Sequence, residues 1–138
     1  MMDGISVATQ FPLTTLATVI AILVYFMFGM AVGKARGQYN VPAPLMAGHI
    51  EFEKRSRVQL NTLEQMVIFL PLLWLGLGVL GDLYTAIAGL LWSIGRIVYA
   101  RAYYADPTKR SAGFALTQLP TIVLLVATIW GAVRGLAL

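Results

Sequence analysis

Long stretches without a single charged side chain govern what this chain can fold into. From Gly4 to Gly33 no Asp, Glu, Lys or Arg appears, and Phe11–Met30 is almost wholly apolar. A helix of that length in water needs a polar face; in a bilayer, about 20 apolar residues cross the hydrocarbon core. A second such run begins near Leu60, reaches Leu80 and ends at Gly81-Asp82. The third, about 83–104, carries Arg96 and Arg101 and stops at Asp106-Pro107, where proline removes a backbone donor and restricts the residue before it. Ser111 to Val133 is again free of charge, with Arg134 just beyond. The pattern predicts an all-α integral membrane bundle of four helices in one domain, 1–138, with spans at about 9–36, 58–80, 83–104 and 111–134.

Composition points the same way. Of 138 residues, 12% are charged, roughly half the ~25% of a soluble domain. The mean hydropathy of +0.77 leaves too little polar material to cover a water-facing globule. Disorder is excluded, and so is a large soluble enzyme domain on a membrane anchor. Without cysteine, any thiol chemistry must use a thiol brought from outside. A single histidine, His49, gives no basis for a zinc site, and no metal is expected.

Charge placement sets an expected orientation. The net charge of +4 comes largely from two connections. Lys34, Arg36, Lys54, Arg55 and Arg57 lie between the first and second spans, and Lys109 and Arg110 between the third and fourth. The positive-inside rule puts both basic connections in the cytoplasm and both termini outside, as in a bacterial inner membrane. This clustering serves topology, so no nucleic-acid partner is expected. The N-terminus has neither a basic segment nor an A-x-A-like site, and is not read as a cleaved signal peptide. No internal repeat suggests an inverted-repeat transporter.

Polar residues inside the spans carry the functional signal. Arg57, Asn61 and Glu64 fall at i, i+4 and i+7, on one helix face, with Gln59 on another. A carboxylate near lipid normally pairs with a basic group. Arg96 is the expected partner of Glu64 by depth, either clamping two helices or serving a site. Arg96, Tyr99 and Tyr103 repeat the one-face spacing, whereas Tyr104 reads as part of an interfacial aromatic belt. Lys109-Arg110-Ser111 opens the last helix, and taken alone the basic pair reads as snorkelling to the boundary. Together these groups suit a small zwitterionic ligand: arginine grips carboxylates in bidentate fashion and a carboxylate receives an ammonium. Apolar helix faces alongside could admit a lipophilic molecule from the bilayer.

At these residues the chain resembles the MAPEG proteins, the membrane-associated proteins of eicosanoid and glutathione metabolism. Phe52-Glu53-Lys54-Arg55-Ser56-Arg57-Val58-Gln59-Leu60-Asn61-Thr62-Leu63-Glu64 is similar to the family signature F-E-x-x-x-R-x-Q-x-N-x-x-E. Gly95-Arg96-Ile97-Val98-Tyr99, with Tyr103 and Arg110-Ser111 following, is similar to a second signature. The run N-T-L-E-Q followed by F-L-P-L-L-W-L looks like microbial members. The resemblance implies a homotrimer with glutathione, as co-substrate, at each subunit interface. Arg57, Asn61, Glu64, Tyr99 and Tyr103 would hold it from one subunit. Arg36, Gln59 and Arg110 match positions that reach in from the neighbour, and Arg110 matches the arginine that stabilises the thiolate. Glu64 and Arg96 would support the site from inside the bundle.

Departures from the family pattern argue against either specific eicosanoid reaction. Val67 stands where proline is frequent, Gln65 where leukotriene synthases have an aromatic residue, and Tyr99 where prostaglandin synthases have histidine. The implied activity is a glutathione transferase, with possible peroxidase chemistry, acting on a lipophilic electrophile or lipid hydroperoxide. A non-catalytic lipid-binding scaffold and a small four-span transporter stand as the alternatives. Such a transporter would be expected to carry an acidic residue in its first span, and Gly4–Gly33 has none.

Overall fold

A computed structural model describes residues 6–138; a signal peptide's basic segment would fall partly on residues 1–5, outside the described residues. A single turn, α1 (Val7–Gln10), precedes α2 (Pro12–Gln38), and a loop leads to α3 (Ile50–Ala105). A short 3-10 turn, Pro107–Lys109, joins α3 to α4 (Ser111–Leu136). Three helices are long and apolar enough to cross a membrane: α2, α3, and α4 with the 3-10 turn before it. Many large apolar side chains face outward, among them Leu16, Phe26, Met30, Val67, Leu75 and Leu119. Lipid, not water, is the solvent this surface suits.

Fifty-six residues of unbroken helix would run about 84 Å, far beyond a bilayer core of about 30 Å. The chain solves this at Gly81, whose φ of 77° and ψ of 171° lie in a region open in practice to glycine alone. The break divides α3 into limbs 50–80 and 82–105. Phe69 stacks on Trp92, ring centroids 4.5 Å apart, while Thr62 meets Arg96. As one limb rises in residue number the other falls, so the two pack antiparallel.

Helix ends follow local chemistry. His49 caps α3, its Nδ1 accepting from the Glu51 amide at 3.1 Å, and Glu51 and Glu53 favour the positive end of the dipole. Asp106 closes α3 and caps the 3-10 turn through Thr108. Beyond the other end of the bundle, Asp82 staples the hairpin to α2. Its carboxylate accepts from the backbone N–H groups of Leu13 (3.1 Å) and Thr14 (2.8 Å). Partial burial pushes this carboxyl up, but the amide bonds outweigh it and hold it below the usual carboxylate range.

A depressed folded-state pKa gives stability that is present above the unfolded value and lost as pH falls through the folded one. The detergent-solubilised protein should therefore lose thermal stability on acidification below about pH 4. Asp82→Asn should lower the unfolding midpoint at neutral pH by about 2–8 °C and flatten that acid dependence. An unchanged midpoint would mean the staple carries no weight.

Three apolar clusters run along the bundle. Ala21, Phe69, Leu73, Trp92 and Leu124 fill the middle. Val24, Phe28, Val58, Tyr99 and Ala100 form the next layer, and Val32, Ala35, Val41 and Phe52 anchor the loop after α2. The second layer supports the polar end. There Gly113 of α4 lies directly on the Tyr99 backbone, and Gly95 lies against Thr117. Each approach needs a residue with no Cβ.

Candidate functional site

The polar residues singled out in the sequence collect where 50–61, 99–105 and the start of α4 meet. A cavity of about 430 Å³ is lined there by Arg57, Asn61, Tyr99, Tyr103, Arg110, Ser111 and Phe114. That volume lies within the usual small-ligand range. A neighbouring depression of about 380 Å³ shares Arg57 and Tyr103 and adds Met46, Glu53, Lys54, Ser56 and Leu60. Tyr99 and Tyr103 stack with centroids 5.6 Å apart, one turn apart on the same helix face.

The basic groups differ in how far they are already neutralised. Glu51 pairs with Lys54 at 2.8 Å and with Arg55 at 2.9 Å, and these two hydrogen bonds hold its carboxyl below the usual range. Arg57 lies 3.7 Å from Glu64, with both side chains more than half exposed, a contact of little energetic weight. Among the described residues no carboxylate lies within salt-bridge distance of Arg110. Arg57 and Arg110 thus present nearly uncompensated positive charge to the same cavity.

Two sequence expectations, on Glu64 and on Tyr104, are corrected. Glu64 does not pair with Arg96. Arg96 is fully buried and donates from Nε to Thr62 Oγ1 (3.2 Å), and from Nη2 to Thr62 Oγ1 (3.0 Å) and Asn61 Oδ1 (2.8 Å). Thr62 faces Arg96 directly, so Glu64, two residues on, lies about 200° around the helix and turns outward to Arg57. Depth matched, but helical phase did not. Arg96 accordingly lies behind the cavity wall, its guanidinium 4.2 Å over the Tyr99 ring.

Arg110, which the resemblance gives as reaching a neighbour's site, also lines this cavity together with Arg57. The turn at Pro107–Lys109 is short enough to bring the start of α4 back over Tyr103. Arg36 and Gln59 do not line it. Arg36 donates to the Val41 and Leu45 carbonyls of its own loop (3.2 and 2.6 Å) and lies over Phe52. Gln59 turns toward α2, where a Cβ at Gly29 would come 3.2 Å from its Nε2. Tyr104 is half-buried beneath Arg55 rather than set in an outward belt.

Phe114 was not singled out in the sequence, although it follows Arg110 by one helical turn and that spacing pointed to it. Deeper between the same helices, the Gln118 amide donates to Gln65 and joins α4 to the first limb of α3. Among the described residues no group of His, Asp and Glu could hold a metal ion.

Comparison with known proteins agrees with the two motifs. The sequence model of the MAPEG family matches residues 14–130. The chain is 42% identical over 114 residues to an uncharacterized protein of Synechocystis sp., covering 83% of each. It is 33% identical over 103 residues to microsomal glutathione S-transferase 2 of Mus musculus, covering 71% of this chain and 70% of that protein. To leukotriene C4 synthase of the same species it is 32% identical over 102 residues, covering 74% and 65%. The match spans the long apolar helices and every residue of the cavity, so the resemblance read from Arg57–Glu64 and Gly95–Tyr103 is borne out: this integral membrane protein belongs to the MAPEG family.

Proposed function

We propose that the protein is a membrane-bound glutathione transferase that binds glutathione in the cavity at the polar end of the bundle. The observation that carries this reading is the joining of Arg57 and Arg110, both without a firm carboxylate partner, with Asn61, Tyr99 and Tyr103 in one ligand-sized space. Relatives named as a glutathione S-transferase and as leukotriene C4 synthase supply the co-substrate class.

Arg57 and Asn61 hold the peptide's carboxylate and carbonyl oxygens, and Glu64, 3.7 Å from Arg57, receives its ammonium. Arg110 stabilises the thiolate. A free thiol with pKa near ~8.5 is only a few per cent ionised at neutral pH, and an adjacent cation raises that fraction. The thiol proton leaves to water. With a chlorinated aromatic the thiolate sulfur forms the C–S bond as chloride departs. With a lipid hydroperoxide, two thiols reduce one O–O bond to an alcohol and water and leave as a disulfide. The lipophilic partner enters from the bilayer along the apolar helix faces.

The assembly proposed is a homotrimer in which the two limbs of α3 cross separately, giving four spans. Arg36 and Gln59, which point away from their own chain's cavity, would then serve a neighbour's. The basic connections face the cytoplasm of a bacterial cell membrane, with the termini outside.

Purified protein assayed with glutathione and a chlorinated aromatic acceptor, alongside hydroperoxide reduction, tests the activity. Calorimetry tests binding. Arg57→Ala should weaken glutathione binding by about tenfold or more, the usual cost of a lost charge-assisted hydrogen bond. No heat with the unaltered protein and no turnover of either substrate would leave a membrane bundle without this activity.

A further inference from the structure

Two amides meet inside the apolar part of the bundle. Gln65 lies on the first limb of α3, and no charged residue follows it before Asp82. Gln118 lies in α4, within the stretch from Ser111 to Val133 that carries no charge. Both side chains are partly buried, and the Gln118 Nε2 donates to the Gln65 Oε1. A glutamine amide has two N–H donors and an acceptor oxygen. One bond between them spends one donor and one acceptor, and among the described residues no other hydrogen bond reaches either amide. The Gln65 amide nitrogen and the Gln118 amide oxygen are left over. Exchanging oxygen and nitrogen on both residues leaves the same two groups, each on the opposite residue. Hydrocarbon offers them no water, and an unmet polar group there is costly.

Their place in the fold gives these groups a use. Asn61 to Gln65 and Phe114 to Gln118 are each one helical turn, so the amides continue the two faces that line the cavity. The first limb starts at Ile50 and α4 at Ser111, so both helices leave the basic end in the same direction. Helical side chains tilt toward the N-terminus, and both amides therefore lean back toward the cavity. Along the helix axes the pair lies about 12 Å beyond Arg57 and Arg110, on the bilayer side.

We infer that Gln65 and Gln118 form the polar subsite for the lipophilic co-substrate, and that they select an oxygenated lipophile over a hydrocarbon-like electrophile; this rests on the glutathione reading above. The spare N–H groups donate to a carbonyl or hydroperoxide oxygen of the incoming molecule. The spare amide oxygen accepts from a hydroperoxide O–H. A molecule without such an oxygen leaves both amides unmet. Apolar contact discriminates weakly, whereas a polar site left unpaired rejects the analogue that lacks its partner.

The test uses the full chain in detergent with glutathione and two electrophiles of equal chain length. Nonenal carries an unsaturated carbonyl, and nonyl iodide carries no oxygen. The variant combines Gln65→Met with Gln118→Met. Replacing both partners of a hydrogen bond by apolar groups of similar shape is nearly neutral, so this protein should fold. Its kcat/KM for nonenal should fall about tenfold, while kcat/KM for the iodide and glutathione affinity by calorimetry stay within about twofold. Should the double variant fail to fold, inhibition of the iodide reaction in the unaltered protein asks the same question. A saturated nine-carbon ketone should inhibit about tenfold more strongly than nonane, each referred to its concentration in the micelle.

A folded double variant that loses both electrophiles equally, or neither, makes the amides a pin between helices and overturns the inference, with the proposed function left standing. A ketone that inhibits no better than nonane does the same. An unaltered protein that turns over the iodide alone, or neither electrophile, also removes this inference. Absence of glutathione binding removes the proposed function with it.

Discussion

Arg110→Ala should cut turnover by well over tenfold while leaving glutathione affinity within a few-fold of the unaltered protein. Two effects multiply. If Arg110 lowers the thiol pKa by about two units from ~8.5, its loss reduces the ionised fraction at neutral pH by roughly 25-fold. A thiolate of higher pKa is intrinsically more nucleophilic, which returns about tenfold of that. Ionisation alone therefore leaves a deficit of only a few-fold. The remainder comes from orientation, since a reacting atom misplaced by about 1 Å can lose as much as ~100-fold.

The two parts separate by pH. Raising the pH to about 9 or above ionises the thiol without help, so the ionisation deficit closes, while the positional deficit persists, offset in part by the roughly tenfold nucleophilic gain of the higher-pKa thiolate. Arg110→Lys should recover the first part and little of the second, because an ammonium lacks the planar fork. Equal losses in affinity and in turnover would make Arg110 a binding residue, and the proposed role would fall.

Gly113→Leu should be among the most destabilising single changes in the chain. A Cβ at Gly113 would sit within the backbone of Tyr99 and 2.7 Å from its Cβ, so relief requires helix axes to move. Overpacking a core with a yielding side chain costs about 1–3 kcal/mol; backbone against backbone exceeds that range. Loss of more than about 3 kcal/mol corresponds to a fall of roughly 10 °C or more in unfolding midpoint for a chain of this size.

Because Tyr99 lines the cavity, any Gly113→Leu protein that folds should also bind glutathione poorly. Gly33→Ala is the matched control: nothing lies within 4 Å of a Cβ there, and removing glycine from a helix interior gains about 0.5–1 kcal/mol. A Gly113→Leu protein as stable as the Gly33→Ala one would show that α4 does not pack on Tyr99 in this way.

Spacing along a single helix made much of the site legible. Arg57 and Asn61, and likewise Tyr99 and Tyr103, are one turn apart, and each pair lines the same cavity. Arg110-Ser111, which alone reads as a snorkelling pair, was placed beside them by its position at the same membrane boundary and by the family's second signature. Relations between helices were not legible. Glu64 and Arg96 match in depth, yet which face of each helix meets the other depends on rotation about both axes. Arg36 carried a basic signal, but its partners are carbonyls of its own loop, and no sequence pattern marks a carbonyl as available.

The order of residues alone determined that this chain is helical and membrane-bound and that its polar residues gather at one end. Apolar run length and the phase of polar residues along one helix are local quantities, set by bond geometry and solvent. Only the tertiary structure decided that Arg96 faces Thr62 and Asn61, that Arg110 joins Arg57 within one chain, and that Gly95 and Gly113 let α4 close on Tyr99. Those outcomes depend on how helices rotate and approach one another, and the close fit of side chains against a facing backbone fixes both only once all the helices are packed.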